Sequence, residues 1–258
     1  SDNCLYCYTL VNKVEGLIMK LVNGVTLVCG YTYSSLDNVY AIEGEQGTIL
    51  VDTGTNDREY QTIMDNMGYW GLKPVSYVIL THAHINHCFN AKRFQDAGAK
   101  LICSEPVAAA LEHGGNRLID YHSLSLEYNT RTFQKCKADI VIHNEGHYTI
   151  DGIDFDIRIT NGHSAGGLVF FCELYGKRLM FTGDFMGVDH LNKHATLGWN
   201  GDEEYDADAY LRELKDLSTE EPDTIFPGHL QQCLRDAWQL PLNAYLRALK
   251  CTHKDFSK

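Results

Sequence analysis

The stretch ILTHAHINHCFN, residues 79–90, places His82, His84 and His87 within six positions. The apolar YVIL just before it reads as a short buried strand, and a helix is expected over 86–97. The histidines therefore sit where a strand ends and a helix begins. In extended backbone His82 and His84 point to one side, and a helical turn brings His87 back to that side. With 12 histidines in 258 residues, the HxHxxH spacing should arise by chance about 0.03 times. Neutral imidazoles suit zinc, iron or manganese, so a metal site is the direct reading. Asn86 is the anomaly, because it puts an amide where a hydrolytic metal site would want a carboxylate.

Outward from this cluster the chain alternates sheet and helix signals. VTLVCGYTY, NVYAIEG and GTILVD read as a meander of strands, followed by a helix over 57–70 that Gly71 and Pro74 end. After the cluster come a strand KLICS and a helix opened by Ser104, Glu105 and Pro106. Residues 113–137 are polar and aromatic with weak periodicity and read as an insertion that walls a pocket. A second β-rich block follows in ADIVIH, HYTI, DFDIRIT, GGLVFFCEL and KRLMFTG, with YGK as a hairpin turn between the last two. The chain closes with a helix over about 205–217, a strand TIF, and a helix over about 231–250. The expectation is one domain over 1–258, with two packed sheets and helices outside them.

Three later strands each end on a residue that can bind metal. DIRITNGHSAGG presents His163, LMFTGDFM presents Asp184, and TIFPGH presents His229. A lone histidine after a strand is more often a surface or core residue, but the joint pattern outweighs that reading. Asp52 in ILVDTGT could accept hydrogen bonds from histidine N–H groups or backbone amides and orient the ligands. A turn-forming aspartate explains it equally well.

Composition removes other classes. A formal charge of −12 with only 22 scattered Lys and Arg argues against a nucleic-acid partner. No run of 18 uncharged apolar residues and no basic segment followed by an apolar run occurs, so neither a membrane span nor a leader is expected, and a cytoplasmic location follows. Nine cysteines, most of them in apolar runs, do not suggest a disulfide framework. Cys4 and Cys7 form a lone CxxC, read as structural rather than as half a zinc site or a redox pair. Association into a homo-oligomer is compatible with the sequence.

These residues together resemble the metallo-β-lactamase superfamily, whose pattern is HxHxDH followed by a distant His, Asp and His. The likeness runs from VDTG through THAHINH, NGHSAGG and FTGD to FPGH, nearly the whole chain. It implies an α/β fold, an αββα sandwich of two mixed sheets flanked by helices, with a metal site at the open edge of the sheets. It further implies two divalent metal ions, zinc first and iron or manganese as alternatives. His82, His84 and His163 would hold one, His87 and His229 the other, and Asp184 would bridge them. Asn86 takes the place of the family's aspartate, which leaves the second site weak or empty and turnover impaired. Two accounts stay open: a natural asparagine running an altered centre, or an isosteric exchange that silences turnover and keeps the shape.

The chemistry implied is hydrolysis of a small lactone, ester or thioester by a metal-bound hydroxide. Asp184 points away from the β-lactamase subclasses proper and toward the lactonase or glyoxalase II-like branch. Two alternatives are a mononuclear iron oxidoreductase similar to persulfide dioxygenases and a catalytically silent metal-binding or ligand-sensing module. Candidate substrate-binding residues are Tyr121, His122 and Tyr128, with His113, in the insertion, and Met186, His190, His194 and Trp199 in FMGVDHLNKHATLGW. His190 and His194, four apart, are expected on one helix face. The acidic run GDEEYDADAY reads as a solvated helix start.

Overall fold

The structure of the protein is a computed structural model that describes residues 20–35, 37–113, 133–189, 191 and 194–254. Strands β2 (Val25–Cys29), β3 (Val39–Glu43) and β4 (Thr48–Val51) form the antiparallel meander that the sequence suggests, although β2 stops four residues short of Tyr33, and β1 (Lys20–Val22), which the sequence reading lacks, extends it. Helix α1 (Asp57–Tyr69) then crosses over to β5 (Val75–Ile79), which lies parallel to β4. Two short helices, α2 (Ile85–Cys88) and α3 (Ala91–Asp96), lead to β6 (Lys100–Ser104), and α4 (Glu105–His113) precedes β7 (Ile140–Ile142). The first sheet therefore runs β1 to β7 in order, antiparallel in its first half and parallel in its second.

The second sheet has the order β14-β11-β10-β9-β8. It is built from β8 (Gly146–Ile150), β9 (Ile153–Thr160), β10 (Gly167–Leu174), β11 (Lys177–Gly183) and β14 (Thr224–Pro227). The turn between β10 and β11 places Tyr175 and Gly176 at φ 51° and 73°, the left-handed pair that a tight hairpin requires. A separate hairpin pairs β12 (Met186–Val188) with β13 (Ala195–Leu197), and helices α5 (Ala207–Leu217) and α6 (Leu240–Lys254) flank β14 in sequence.

Alternation along the strands sorts side chains into three layers. Tyr40 and Ile42 of β3 face the other sheet and meet Phe170, Phe181 and Phe226, while Val39 and Ala41 face outward onto Ile63 and Met67 of α1. The outer face of the second sheet, with Val169, Phe171 and Ile225, packs on Tyr210 and Leu214 of α5 and on Leu240 and Ala244 of α6. Strands buried on both faces carry continuous apolar runs, which is why VFFC and TILV do not alternate. The product is the αββα sandwich.

Three expectations need correction. The helix over 86–97 is broken in two, because the carbonyl of His87 accepts from Thr53 N (2.7 Å) and Thr53 Oγ1 (2.9 Å) and is not free to continue a helical ladder. The last helix starts at Leu240 rather than near 231, since Cys233 is held to Ile225 by two backbone hydrogen bonds of 2.9 and 3.0 Å. His194 is not on a helix: β12 and β13 pair antiparallel, and His194 is exposed just before β13. His190 lies outside the described residues, as do Cys4, Cys7 and residues 114–132 of the insertion. Among the described residues no helix is long and apolar enough to cross a membrane.

Candidate metal centre

Every predicted ligand lies on a connection or short helix that follows a strand end. After β5, Thr81 N donates to Asp52 Oδ1 (2.7 Å), which fixes the chain as it leaves the sheet. His84 is extended (φ −62°, ψ 140°) and caps α2, so His82, His84 and His87 converge in the way their spacing suggests. His163 follows β9, Asp184 follows β11, and His229 follows β14. Gly228 allows the last approach, because a Cβ there would lie 2.3 Å from Asp184 Oδ1 and 2.8 Å from His87 Cε1.

Two groups of donors result. His82, His84, His163 and Asp184 bring one ligand atom each to within 4.8 Å of one another, and Asp37, His87 and His229 do the same. Asp184 stands between the groups: its Oδ2 lies 3.8 Å from His82 Nε2 and 3.0 Å from His229 Nε2, and its Oδ1 lies 3.3 Å from His87 Nε2.

A hydrogen bond from one ring nitrogen of an imidazole fixes which nitrogen is left to face a cation. Here the engagement is systematic. Thr81 Oγ1 gives its single proton to Asp52 Oδ2 (2.8 Å) and so accepts from His82 Nδ1 (3.0 Å), leaving Nε2 facing inward. Asp52 Oδ2 also accepts from His87 Nδ1 at 2.8 Å. The carbonyl of Trp199 accepts from His163 Nδ1 (3.0 Å), and Asp202 Oδ2 accepts from His84 Nε2. His163 Nε2 is buried without a hydrogen-bond partner. An orphaned buried nitrogen among three other metal donors fits a cation and little else.

Burial, reinforced for His82 by the neighbouring imidazoles of His87 and His84, drives His82 well below the usual histidine range and His163 down to about 4. Both are neutral at pH 7 and competent as ligands. Burial would lower His87 and His229 too, but the carboxylate of Asp184, aided at His87 by Asp52, outweighs it and raises His87 well above its usual value and His229 to about 9. A cation entering that corner must displace protons. Asp184 itself is held well below the carboxylate range, because His229 and His87 more than offset its burial.

A cleft of about 240 Å³ opens beside the donors and reaches three of them, His84, Asp184 and His229; Asn86, Met186, Leu197, Trp199 and Leu230 also line it. Met186 and Trp199 are thus at the predicted pocket. His194 is not among its lining, and His113 lies exposed at the end of α4, bonded to Ala109 O at 2.7 Å. Tyr121, His122 and Tyr128 fall outside the described residues.

Two residues escape a reading of the sequence. Asp202 belongs to the acidic run taken for a solvated helix start, yet its side chain is only 5% exposed and faces His84. Asp37 reaches the cluster from the chain just before β3, 49 positions from Asn86, and no motif surrounds it.

The chain belongs to the metallo-beta-lactamase superfamily, whose family model matches residues 36–229. A probable metallo-hydrolase of Streptococcus pyogenes serotype M6 is 26% identical over 188 residues, covering 70% of this chain and 74% of its own. Among solved structures, a metallo-beta-lactamase of Cronobacter sakazakii with a HARLDQ motif superposes with a TM-score of 0.69 at 17% identity, covering 92% of this chain and 93% of that one. A subclass B3 metallo-beta-lactamase of Bradyrhizobium japonicum gives 0.67 at 20% identity, covering 92% and 90%. At these identities the structures establish the shared fold.

Proposed function

We propose that the protein is a metal-dependent hydrolase of a small lactone, ester or thioester, with zinc as the favoured metal. The observation that carries this reading is the inward-facing set of His82 Nε2, His84 Nδ1, His163 Nε2 and Asp184, each imidazole fixed from behind, with His84 and Asp184 also lining a cleft. Neutral nitrogen donors with one carboxylate suit zinc, and iron or manganese would also be accepted. A metal bound there would lower the pKa of a coordinated water toward neutrality and polarise a carbonyl oxygen.

The residues of the chain do the rest. Asp52 and Asp202 hold the ligand rings in their tautomers, so no reorganisation is needed when charge develops. Met186, Leu197, Trp199 and Leu230 offer apolar and aromatic walls suited to the body of a small acyl compound, with the polar donors confined to its reacting end. The name of the streptococcal relative supports hydrolysis. The acyl class rests on the cleft, and on Asp184 occupying the bridging position.

The test is elemental analysis of the purified protein together with a screen of lactones, esters, thioesters and phosphoesters. Bound divalent metal is expected, with hydrolysis of an acyl substrate that a chelator abolishes and added zinc restores. His82→Ala should lose metal from the first group. Chelator-resistant hydrolysis, or full metal content in the His82 variant, would sink the reading.

A further inference from the structure

Position 86 carries an amide, yet the corner it faces is not short of a carboxylate. Asn86 Nδ2 donates to Asp37 Oδ1 at 2.9 Å and lies 3.2 Å from His229 Nε2. The same Asp37 oxygen is 3.4 Å from His229 Nδ1. Its other oxygen accepts from Thr55 Oγ1. Asp37 is 4% exposed, so it is a carboxylate brought into the interior and aimed at the two histidines that end the second group of donors.

Its placement is built into the fold. Asp37 and His229 form a backbone bridge, Asn38 N donates to the carbonyl of Gly228 (2.8 Å), and Asn38 Nδ2 donates to the carbonyls of Pro227 (3.0 Å) and Leu230 (3.1 Å). The segment entering β3 is thus sewn onto the loop that presents His229. An aspartate at 86 would meet Asp37 as like charge against like charge. An asparagine meets it as donor against acceptor.

We propose that Asp37, rather than residue 86, supplies the carboxylate at a second metal position with His87 and His229, shared with the first through Asp184, and that Asn86 is the positioning residue that holds Asp37 in place. The proposal rests on the metal-dependent reading above. It makes the asparagine part of a relocated ligand set rather than a lesion in a conventional one.

The experiment is a titration of chelator-stripped protein with Co²⁺ and with Zn²⁺, counting metal per chain by elemental analysis and following the cobalt absorption bands. The unaltered chain should take two equivalents. Asp37→Asn should lower the affinity for the second equivalent by at least about tenfold, and should also shift the band that this equivalent produces, since a coordinating oxygen has changed. Adding Asn86→Asp to that variant should restore two tightly held equivalents. If Asp37→Asn does not fold, as judged by circular dichroism, Asn86→Ala serves instead: it removes the donor, keeps the carboxylate, and should weaken the second equivalent without moving its band. A single equivalent on the unaltered chain, a second equivalent indifferent to these changes, or an Asp37→Asn variant with weakened affinity and an unshifted band would each overturn the assignment of Asp37 while leaving the first site standing. No bound metal at all would instead overturn the metal-dependent reading itself.

Discussion

Which nitrogen an imidazole presents is settled by the group behind it, and in this centre those groups come from three segments: Thr81, Asp52, and the connection that holds both Asp202 and the carbonyl of Trp199. Asp202 is the one whose charge can be removed with least change of shape. Burial alone would push its carboxyl up, but the bonds from His84 and from Glu204 N (2.7 Å) outweigh it and hold the group ionised. Asp202→Asn keeps a polar partner for His84 and discards the charge that makes its ring a better donor. We expect metal affinity to fall about 10- to 100-fold, measured by competition with a chromophoric chelator. Unchanged affinity would mean that Asp202 only fills space. The histidines of THAHINH were legible as a convergent group of candidate donors from spacing alone. Asp202 was not, because an acidic residue ahead of a helix looks the same whether it faces water or an imidazole.

At the scale of the element, the ligands owe their positions to short connections that lean on neighbouring helices. The loop between β9 and β10 that carries His163 rests on α5: Glu213 accepts from Asn161 N (2.8 Å) and Gly162 N (2.9 Å), and Asp206 N donates to the carbonyl of Gly162 (3.0 Å). Gly162 lies so close to α5 that a Cβ would sit 2.2 Å from Tyr210 Cα and 2.4 Å from Tyr210 N. Those atoms are backbone and cannot turn aside. Gly162→Ala should therefore destabilise the fold by roughly 1–3 kcal/mol in urea denaturation and weaken the first metal, because the loop must move to relieve the contact. Full stability in that variant would contradict the packing described. The same dependence on tertiary partners explains the broken helix after His87. Its periodicity is helical throughout, and only Thr53, from a different strand end, interrupts the ladder.

For the molecule as a whole, the candidate metal centre occupies one end of the sandwich and a carboxylate clasp closes the other. Asp151, in the turn between β8 and β9 at φ 47°, accepts from Gln46 N (3.0 Å) and Gly47 N (2.9 Å) in the turn between β3 and β4, and from Ser76 Oγ (2.9 Å) in β5. The clasp joins the two sheets. Burial raises the Asp151 carboxyl, but these hydrogen bonds and the charge of Lys73 more than offset it, and its folded pKa lies below the ordinary value. A carboxyl whose pKa falls on folding stabilises the protein above its unfolded value of about 3.9, and that stability is lost as pH drops through the lower folded value. Asp151→Asn tolerates the left-handed backbone but cannot ionise. Its melting temperature should lie below that of the unaltered chain above about pH 5, and the gap should close below about pH 3. A gap independent of pH would assign the clasp to shape rather than to charge.

The sequence by itself indicated most of the strands and helices in their order, the burial of the central strands, and six candidate donors, because each of these is written in local periodicity or in a residue that follows a strand end. Tertiary structure alone decided that Asp37 and Asp202 join the centre, that His194 stays outside it, and that the segment after Val188 returns as a hairpin. Local pattern specifies which way a side chain leaves its own element. Whether another segment then meets it depends on how the sheets and loops pack, and for Asn86 that meeting sets its chemistry: an amide that reads as a missing carboxylate along the chain is, in three dimensions, the donor that faces one.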